Sequence, residues 1–208
     1  GVSIPDNPMG QPRLGALEAI ERQGLSVDPE RLMINLNTFH SRDELDALLA
    51  TALRFGARYL LVVRGDGGPL LPKLDPKSIG GKFNVASSAD LIGFINAEYP
   101  GRFVTGAAFN HFNPITVELN RLENKVAAGA KFVVTQPVVG KDSRLDQLKA
   151  GSLPLVVEAW MSNNIELLSR SVGDDSLEDL DYSPLANLNV LHEDYPNSCI
   201  YLSMLDFK

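Results

Sequence analysis

At 208 residues and 22.6 kDa, the chain is long enough to bury a core of its own without disulfide staples. A charged fraction of 22%, a hydrophobic fraction of 44% and a mean hydropathy of -0.03 exclude a disordered chain and a membrane protein. The formal net charge of -7 has the wrong sign for a nucleic-acid-binding domain, so we expect neither nucleic acid nor a membrane among the partners.

The cysteine and histidine content argues against a disulfide and against a metal site. Cys199 is the single cysteine and cannot form an internal disulfide or a thiolate metal cage, and His40, His111 and His192 lack a metal-ligand spacing. Because Cys199 lies inside an apolar stretch, it is predicted to be a buried small hydrophobe. Residues 1–6 have neither the basic head nor the apolar stretch of a signal peptide, which predicts a cytoplasmic location.

Short apolar runs alternate with longer segments of helical period, a pattern typical of βα units around a parallel sheet. Most runs are apolar throughout, as expected for strands that are covered on both faces. The predicted strands are Leu32 to Asn37, Tyr59 to Val63, Phe103 to Ala108, Phe132 to Thr135, Leu155 to Ala159 and Cys199 to Leu205, with Val2 to Ile4 as a further candidate.

Helix boundaries are marked by capping residues. Ser41 to Glu44 has the form of a capping box, and Gly56 is a stop signal. Asn113 and Pro114 predict an N-cap and a first-turn proline for a helix that stops at Gly129. The remaining predicted helices cover Leu14 to Gln23, a segment opened by Ser88, Ser143 to Lys149, Asn163 to Ser171 and Pro184 to His192.

Successive βα steps without a linker-like break predict a TIM-type (βα) barrel as a single domain over residues 1–208. The length is near the lower limit of about 200 residues for such barrels. The predicted strands, with Val2 to Ile4 included, are one fewer than the eight of a complete barrel, so we expect the barrel to lack or replace its first strand.

In a βα barrel the ligand lies at the carboxyl ends of the strands, so the residues that follow each strand are the first candidates for a site. Arg64 and Asp66 follow an apolar strand together with Gly65, Gly67 and Gly68, and the flexible glycines allow close approach of a ligand to the backbone. The other candidates at strand ends are Asn35, Asn37, Phe109, Asn110, His111, Gln136 and Trp160.

Two of these residues carry specific chemistry. Gln136 ends the run from Phe132, and its amide offers both a donor and an acceptor to the edge of a heterocycle. His111 titrates near neutral pH, although an isolated loop histidine is more often merely solvated.

Several motifs together resemble the methylenetetrahydrofolate reductase family, flavin-dependent TIM barrels of one-carbon metabolism. Leu60 to Asp66 resembles the family's apolar strand ending in Arg-Gly-Asp or Thr-Gly-Asp, and Phe83 to Ile92 resembles its flavin loop and following helix. Leu122 to Gln136 is similar to the family's Leu-x-x-Lys-Val-x-Ala-Gly-Ala-x-x-x-x-Thr-Gln stretch. Asp6 to Pro8, with Pro12 to Leu14, looks like the segment after the second strand in members linked to corrinoid methyl transfer.

The resemblance implies a flavin-dependent oxidoreductase that binds FAD, takes electrons from NAD(P)H and reduces methylenetetrahydrofolate, or a related folate-type pterin, to the methyl form. It implies two catalytic residues, Asp66 under the flavin ring near N1 and Gln136 hydrogen-bonded to the pterin. The residues that match the family's cofactor-holding segments are Arg64, Gly65, Asp66, Ala86, Phe109, His111, Glu118 and Lys125, with Lys125 as the pyrophosphate partner.

The sequence also departs from the family pattern. Val85 stands where the family has a flavin-side tyrosine, residues 137–140 replace an aromatic run, and residues 158–162 replace a Pro-Gly-Ile-x-Pro segment. The glutamate of the family's first strand, a general acid, has no counterpart before Val2. Glu158 and His111 are the candidates to take its place.

Two other interpretations remain open. The chain could be a non-catalytic flavin- or pterin-binding subunit of a methyltransferase or reductase complex. An aldolase-type barrel with a Schiff-base lysine is disfavoured, because no lysine is placed at a strand end. Since a barrel that lacks one strand exposes two sheet edges, we expect self-association or a partner protein chain.

Overall fold

The computed structural model describes residues 1–149 and 151–205. These residues divide into two compact units. Unit one comprises residues 1–107 and 123–131, and unit two comprises residues 108–122 and the described residues from 132 onward.

Unit one is built on parallel strands that pair in chain order. These strands are β1 (Val2–Ile4), β2 (Leu32–Leu36), β3 (Tyr59–Val62) and β4 (Val104–Phe109), of which β4 runs into unit two at its end. The register places Ile4 beside Ile34, Leu36 beside Val62, and Val62 beside Ala107. The carboxyl ends of the strands therefore meet at one edge of the sheet.

The helices of unit one follow the strands. They are α1 (Ala16–Arg22), α2 (Arg42–Phe55) and α3 (Ser88–Glu98), and the last residues of α4 (Ile115–Ala127) also belong to this unit. Ser41 caps α2 by accepting from the backbone of Glu44, whose carboxylate accepts from the Ser41 N–H, so the predicted capping box is confirmed. Ser87 and Asp90 form the same arrangement before α3.

Unit two contains a second set of parallel strands. These are β5 (Phe132–Pro137), β6 (Leu155–Trp160) and β7 (Cys199–Ser203), with β5 paired to β6 and β6 paired to β7. The helices of this unit are α5 (Asp146–Lys149), α6 (Ile165–Val172) and α7 (Pro184–Asp194). Asn164 caps α6 and Ser183 caps α7, and Pro184 occupies the first turn of α7.

The core of each unit consists of buried apolar side chains, both aliphatic and aromatic. In unit one, Leu32, Ile34 and Leu36 of β2 are buried, whereas Met33 and Asn35 on the other face of the strand are only partly buried. In unit two, Trp160 packs with Leu168, Val172 and Leu177 in an apolar cluster. No helix within the described ranges is long and apolar enough to cross a membrane.

The parallel strands, each following the last in chain order and separated by helices, form a TIM-type α/β fold, as the sequence predicted. All predicted strands are present, including Val2–Ile4. Two local predictions are wrong. Helix α4 begins at Ile115, one residue later than predicted, because the Pro114 carbonyl accepts from Glu118 N–H in its first turn. Cys199 is exposed at the start of β7 rather than buried.

Candidate functional site

The loop after β3 carries two charged residues. Arg64 and Asp66 are exposed, and across the described ranges neither side chain makes a hydrogen bond or an ion pair. The carbonyl of Arg64 accepts from the backbone N–H and the hydroxyl of Thr38, at 3.3 and 2.9 Å. The backbone of the loop is thus anchored while its charged groups are available to a ligand.

The glycines of this loop serve packing within the protein. Gly65 has a φ of +83°, and a Cβ there would lie 2.8 Å from Cβ of Asn37. Gly67 has a φ of +70°, and its Cβ would lie 2.7 Å from the ring of Phe39. Side chains of the loop after β2 therefore occupy the space on the Cβ side of Gly65 and Gly67.

A buried hydrogen-bonded group joins the ends of β1 and β2. Oδ2 of Asp6 accepts from the Asn37 backbone N–H at 2.8 Å and lies 2.7 Å from Nε2 of His40. Nδ2 of Asn37 donates to the Asp6 carbonyl, and its Oδ1 accepts from the Phe39 N–H. The sequence reasoning placed Asn37 at a strand end but missed the Asp6–His40 pair, although Asp6 follows a strand by the same rule.

The loop before α3 exposes apolar side chains. Phe83 is 76% exposed and Val85 is 68% exposed, whereas the neighbouring Ala86 is buried. The loop before α3 therefore presents apolar surface to the solvent.

The Lys-Val-Ala-Ala-Gly-Ala motif has a structural basis in unit one. Gly129 has a φ of +112°, and a Cβ there would lie 2.6 Å from Nδ2 of Asn96. That amide donates to Thr105 and to the Ala128 carbonyl, which ties the end of α4 to α3 and β4. Lys125 is only 7% exposed, so its side chain is held within the protein rather than in solvent.

In unit two, Glu118 organises the loop after β4. This carboxylate is only 3% exposed and accepts from the Asn110 N–H, the Asn113 amide and the Arg121 guanidinium, at 3.2 to 3.3 Å. Phe109, at the end of β4, is fully buried. Both side chains lie beneath the loop that follows β4, shielded from solvent.

His111 lies in the same loop and is 1% exposed. Its Nε2 is 3.5 Å from Oδ2 of Asp142, and within the described ranges neither ring nitrogen has a hydrogen-bond partner. Burial lowers the pKa of His111 to about 4, although the Asp142 carboxylate acts in the opposite direction. His111 is therefore neutral at pH 7.

Asp142 is held mainly by Arg144. Burial alone would raise the pKa of Asp142, but the side-chain and backbone hydrogen bonds from Arg144 outweigh it and lower that pKa. The guanidinium donates to both carboxylate oxygens, at 2.7 to 3.0 Å, and lies over the ring of Phe112, which contacts the His111 ring. This arrangement keeps Asp142 ionised next to a neutral histidine.

Gln136 and Glu158 lie on neighbouring strands of unit two. Gln136 is partly exposed and immediately precedes Pro137, the register partner of Glu158. The Ser203 hydroxyl hydrogen-bonds to the Glu158 carboxyl, and burial raises the pKa of Glu158 to about 7. The structure thus places a residue with an amide group and a residue with a carboxyl group on adjacent strands, near the ends of β5 and β6.

Most of the predicted site residues fall into two sets by exposure. Those that reach the surface at least in part are Arg64, Gly65, Asp66 and Gln136, and those that are buried are Ala86, Phe109, His111, Glu118 and Lys125. The groups of the exposed set can be reached from solvent, whereas those of the buried set are enclosed by the protein.

Parallel strands that alternate with helices define an α/β protein of the TIM type, a class in which ligands are bound at the carboxyl ends of the strands. A model of the family described as methylenetetrahydrofolate reductase matches residues 30–149, more than half of the chain. The chain belongs to the methylenetetrahydrofolate reductase family.

The chain was also compared with curated proteins and with solved structures. No curated protein matches the chain. Among solved structures, the chain is similar to a protein from Burkholderia cenocepacia assigned as a phosphonomutase, with 16% identity, coverage of 68% of this chain and 58% of that one, and a TM-score of 0.43. The chain thus spans less than two thirds of that protein's length.

Proposed function

We propose that this chain is a flavin-dependent oxidoreductase that reduces methylenetetrahydrofolate, or a related pterin, to the methyl form with electrons from NAD(P)H. The family match over residues 30–149 is the observation that carries the proposal, because it covers both the loop of Asp66 and the strand of Gln136. A single (βα) barrel domain over the whole chain is part of the same proposal.

The residues after β3 fit a flavin dinucleotide. Arg64 and Asp66 have no partner among the described residues, so a cationic and an anionic group are free for a ligand that carries phosphates and a polar ring edge. Exposed Phe83 and Val85 offer apolar surface in the loop before α3. We propose that Arg64, Gly65 and Asp66 contact the cofactor, with Ala86, Phe109, His111, Glu118 and Lys125 in supporting or phosphate-binding positions.

FAD, when bound, supplies the capacity to carry a hydride from the nicotinamide nucleotide to the substrate. Asp66 places a negative charge near the ring, which disfavours further negative charge there. Gln136 orients the pterin, since its amide can donate and accept at one ring edge. These residues therefore bind the cofactor and orient the substrate. The reaction also requires a proton at the bridge nitrogen of the substrate.

A binding experiment tests the proposal. The purified protein should be yellow, or should take up added FAD with a melting temperature that rises with ligand excess. Arg64→Ala should weaken FAD binding by about tenfold, because a hydrogen bond to a charged group is lost. Arg58→Ala is the matched control, since Arg58 is an exposed arginine that precedes the same strand at its opposite end, and FAD binding should be unchanged.

A colourless protein that shows no melting shift at saturating FAD would overturn the cofactor proposal. It would favour the second interpretation, a binding subunit that keeps the fold without the redox chemistry. Methyltetrahydrofolate binding without flavin binding would identify such a subunit directly.

The partner proposal rests on the edge of β1. Among the described residues, β1 pairs with β2 on one side, and Val2 is exposed. We propose that a strand of a second copy or of a partner chain covers the free edge. Light scattering that finds a monomer at micromolar concentration would contradict self-association.

A further inference from the structure

We propose that Glu158 is a catalytic residue that donates the proton consumed at the substrate bound beside β5 and β6. The inference deepens the proposed function and rests on it. In the reduction, hydride adds to the methylene carbon, one carbon–nitrogen bond of the bridge breaks, and the nitrogen that receives the bond's electron pair takes the proton. Glu158 is the source of that proton and is reprotonated from solvent.

The first observation is the position of Glu158 in the sheet of unit two. It pairs in register with Pro137 on β5, next to Gln136, and with Tyr201 on β7. It stands close to the carboxyl end of β6, where TIM-type proteins place their chemistry. The residue proposed to orient the pterin and the residue proposed to protonate it are thus neighbours.

The second observation is the firm placement of its backbone. The Glu158 N–H donates to the Thr135 hydroxyl at 3.1 Å, and its carbonyl accepts from the Val138 N–H at 2.9 Å. These bonds hold Glu158 against the part of β5 where the register with β6 shifts, between Val134 and Pro137. Bulges of this kind occur next to active sites, where they redirect side chains.

The third observation is the absence of a compensating charge. Within the described ranges Glu158 forms no ion pair, and its carboxyl interacts with the neutral Ser203 hydroxyl. It follows the apolar residues Val156 and Val157 and precedes Ala159 in the strand. An uncompensated carboxylate in such a strand destabilises the fold, whereas an amide of the same shape would not carry that cost.

The protonation state suits the role. Burial raises the pKa of Glu158 to about 7, and a general acid works best when its pKa lies near the working pH. On β7 the titratable group opposite it is Tyr201, and β5 presents Thr135, Gln136 and Pro137, which do not titrate. Helix α7, which also packs on β6, buries the uncharged Asn187 and Leu191.

Glu158→Gln tests the proposal against a merely structural role. The variant should fold, should be more stable than the parent at pH 8 and equally stable at pH 4, and should bind FAD and methyltetrahydrofolate within about twofold of the parent. Its reduction rate should fall by about 10²- to 10⁴-fold. Glu158→Asp should restore part of the rate, and Glu166→Gln, which removes an exposed carboxylate from the first turn of α6, should leave it unchanged.

Two further readouts separate the possible outcomes. The parent's rate should fall as pH rises through about 7, because the acid form is lost. The infrared band of the protonated Glu158 carboxyl, absent in Glu158→Gln, should shift when methyltetrahydrofolate binds. If methyltetrahydrofolate binds without shifting that band, or if Glu158→Gln is as fast as an active parent, the inference about Glu158 is overturned. The proposed function itself is not affected by either result. A parent that binds no folate overturns the proposed function and this inference with it.

Discussion

The carboxylate of Asp6 lies 2.7 Å from the imidazole Nε2 of His40, and the same oxygen accepts from the backbone of Asn37. His40 directly precedes Ser41, the N-cap of α2, while Asp6 follows β1. One carboxylate oxygen therefore fixes the loops that follow two adjacent strands. These are the loops against which the Gly65 to Gly68 segment packs.

Asp6→Ala should lower the free energy of unfolding by about 1 to 3 kcal/mol, because the buried N–H of Asn37 and the ring of His40 each lose a partner. Chemical denaturation measures the effect. Asp179→Ala, which removes an exposed carboxylate, is the control and should change stability by less than about 0.5 kcal/mol. Equal effects in the two variants would mean that the Asp6–His40 pair does not organise the strand ends.

Gly65→Ala should destabilise the fold more than Gly80→Ala. Both glycines have a positive φ, +83° and +76°, so alanine at either position carries a backbone cost of about 1 kcal/mol. At Gly65 the added methyl also meets Asn37 and Phe39, which adds about 1 to 3 kcal/mol of overpacking, whereas nothing lies within 4 Å at Gly80. Equal melting temperatures of the two variants would contradict the packing argument.

His111 should make the fold less stable as the pH falls from about 6.5 to about 4. In this window the histidine of the unfolded chain takes up a proton while the buried, neutral His111 does not, because its folded pKa is about 4. The slope contributed by one such group is at most about 1.4 kcal/mol per pH unit.

Denaturation of His111→Phe at several pH values isolates this contribution, since its stability relative to the parent should rise steadily as the pH is lowered. The matched control is His192→Phe, because His192 is exposed on α7. A parent and a His111→Phe variant with parallel pH profiles would exclude the effect. Asp142 acts in a separate window, since its lowered pKa contributes stability that is lost only at more acidic pH.

Gln136→Leu should weaken methyltetrahydrofolate binding by about 1 to 3 kcal/mol, because a polar group of the bound ligand loses its partner. FAD binding should stay nearly unchanged. Calorimetry measures both, with Gln147→Leu on the exposed face of α5 as the control. If Gln136→Leu and the parent bind the folate equally, Gln136 does not contact the pterin.

Local signals in the sequence located most elements correctly. The capping box at Ser41 needs only residues within one turn, and the apolar runs of β2, β3 and β6 can be recognised because strands in a covered sheet bury most of their side chains. The stop at Gly129 was also predictable, because a positive φ is available to glycine at little cost. The start of α4 was missed by one residue, because the choice between two adjacent caps depends on which carbonyl closes the first turn.

The sequence by itself determined the succession of parallel strands and helices, the strand-end positions of Arg64, Asp66 and Gln136, and the family. Tertiary structure decided which of the candidate residues are buried, since His111, Glu118 and Lys125 look like solvent-facing polar residues until the packing around them is known. It also paired Asp6 with His40 and placed Glu158 where its charge is uncompensated. The physical reason is that hydrogen bonding and desolvation depend on groups far apart in the chain, whereas helix caps and strand patterns depend on neighbours in sequence.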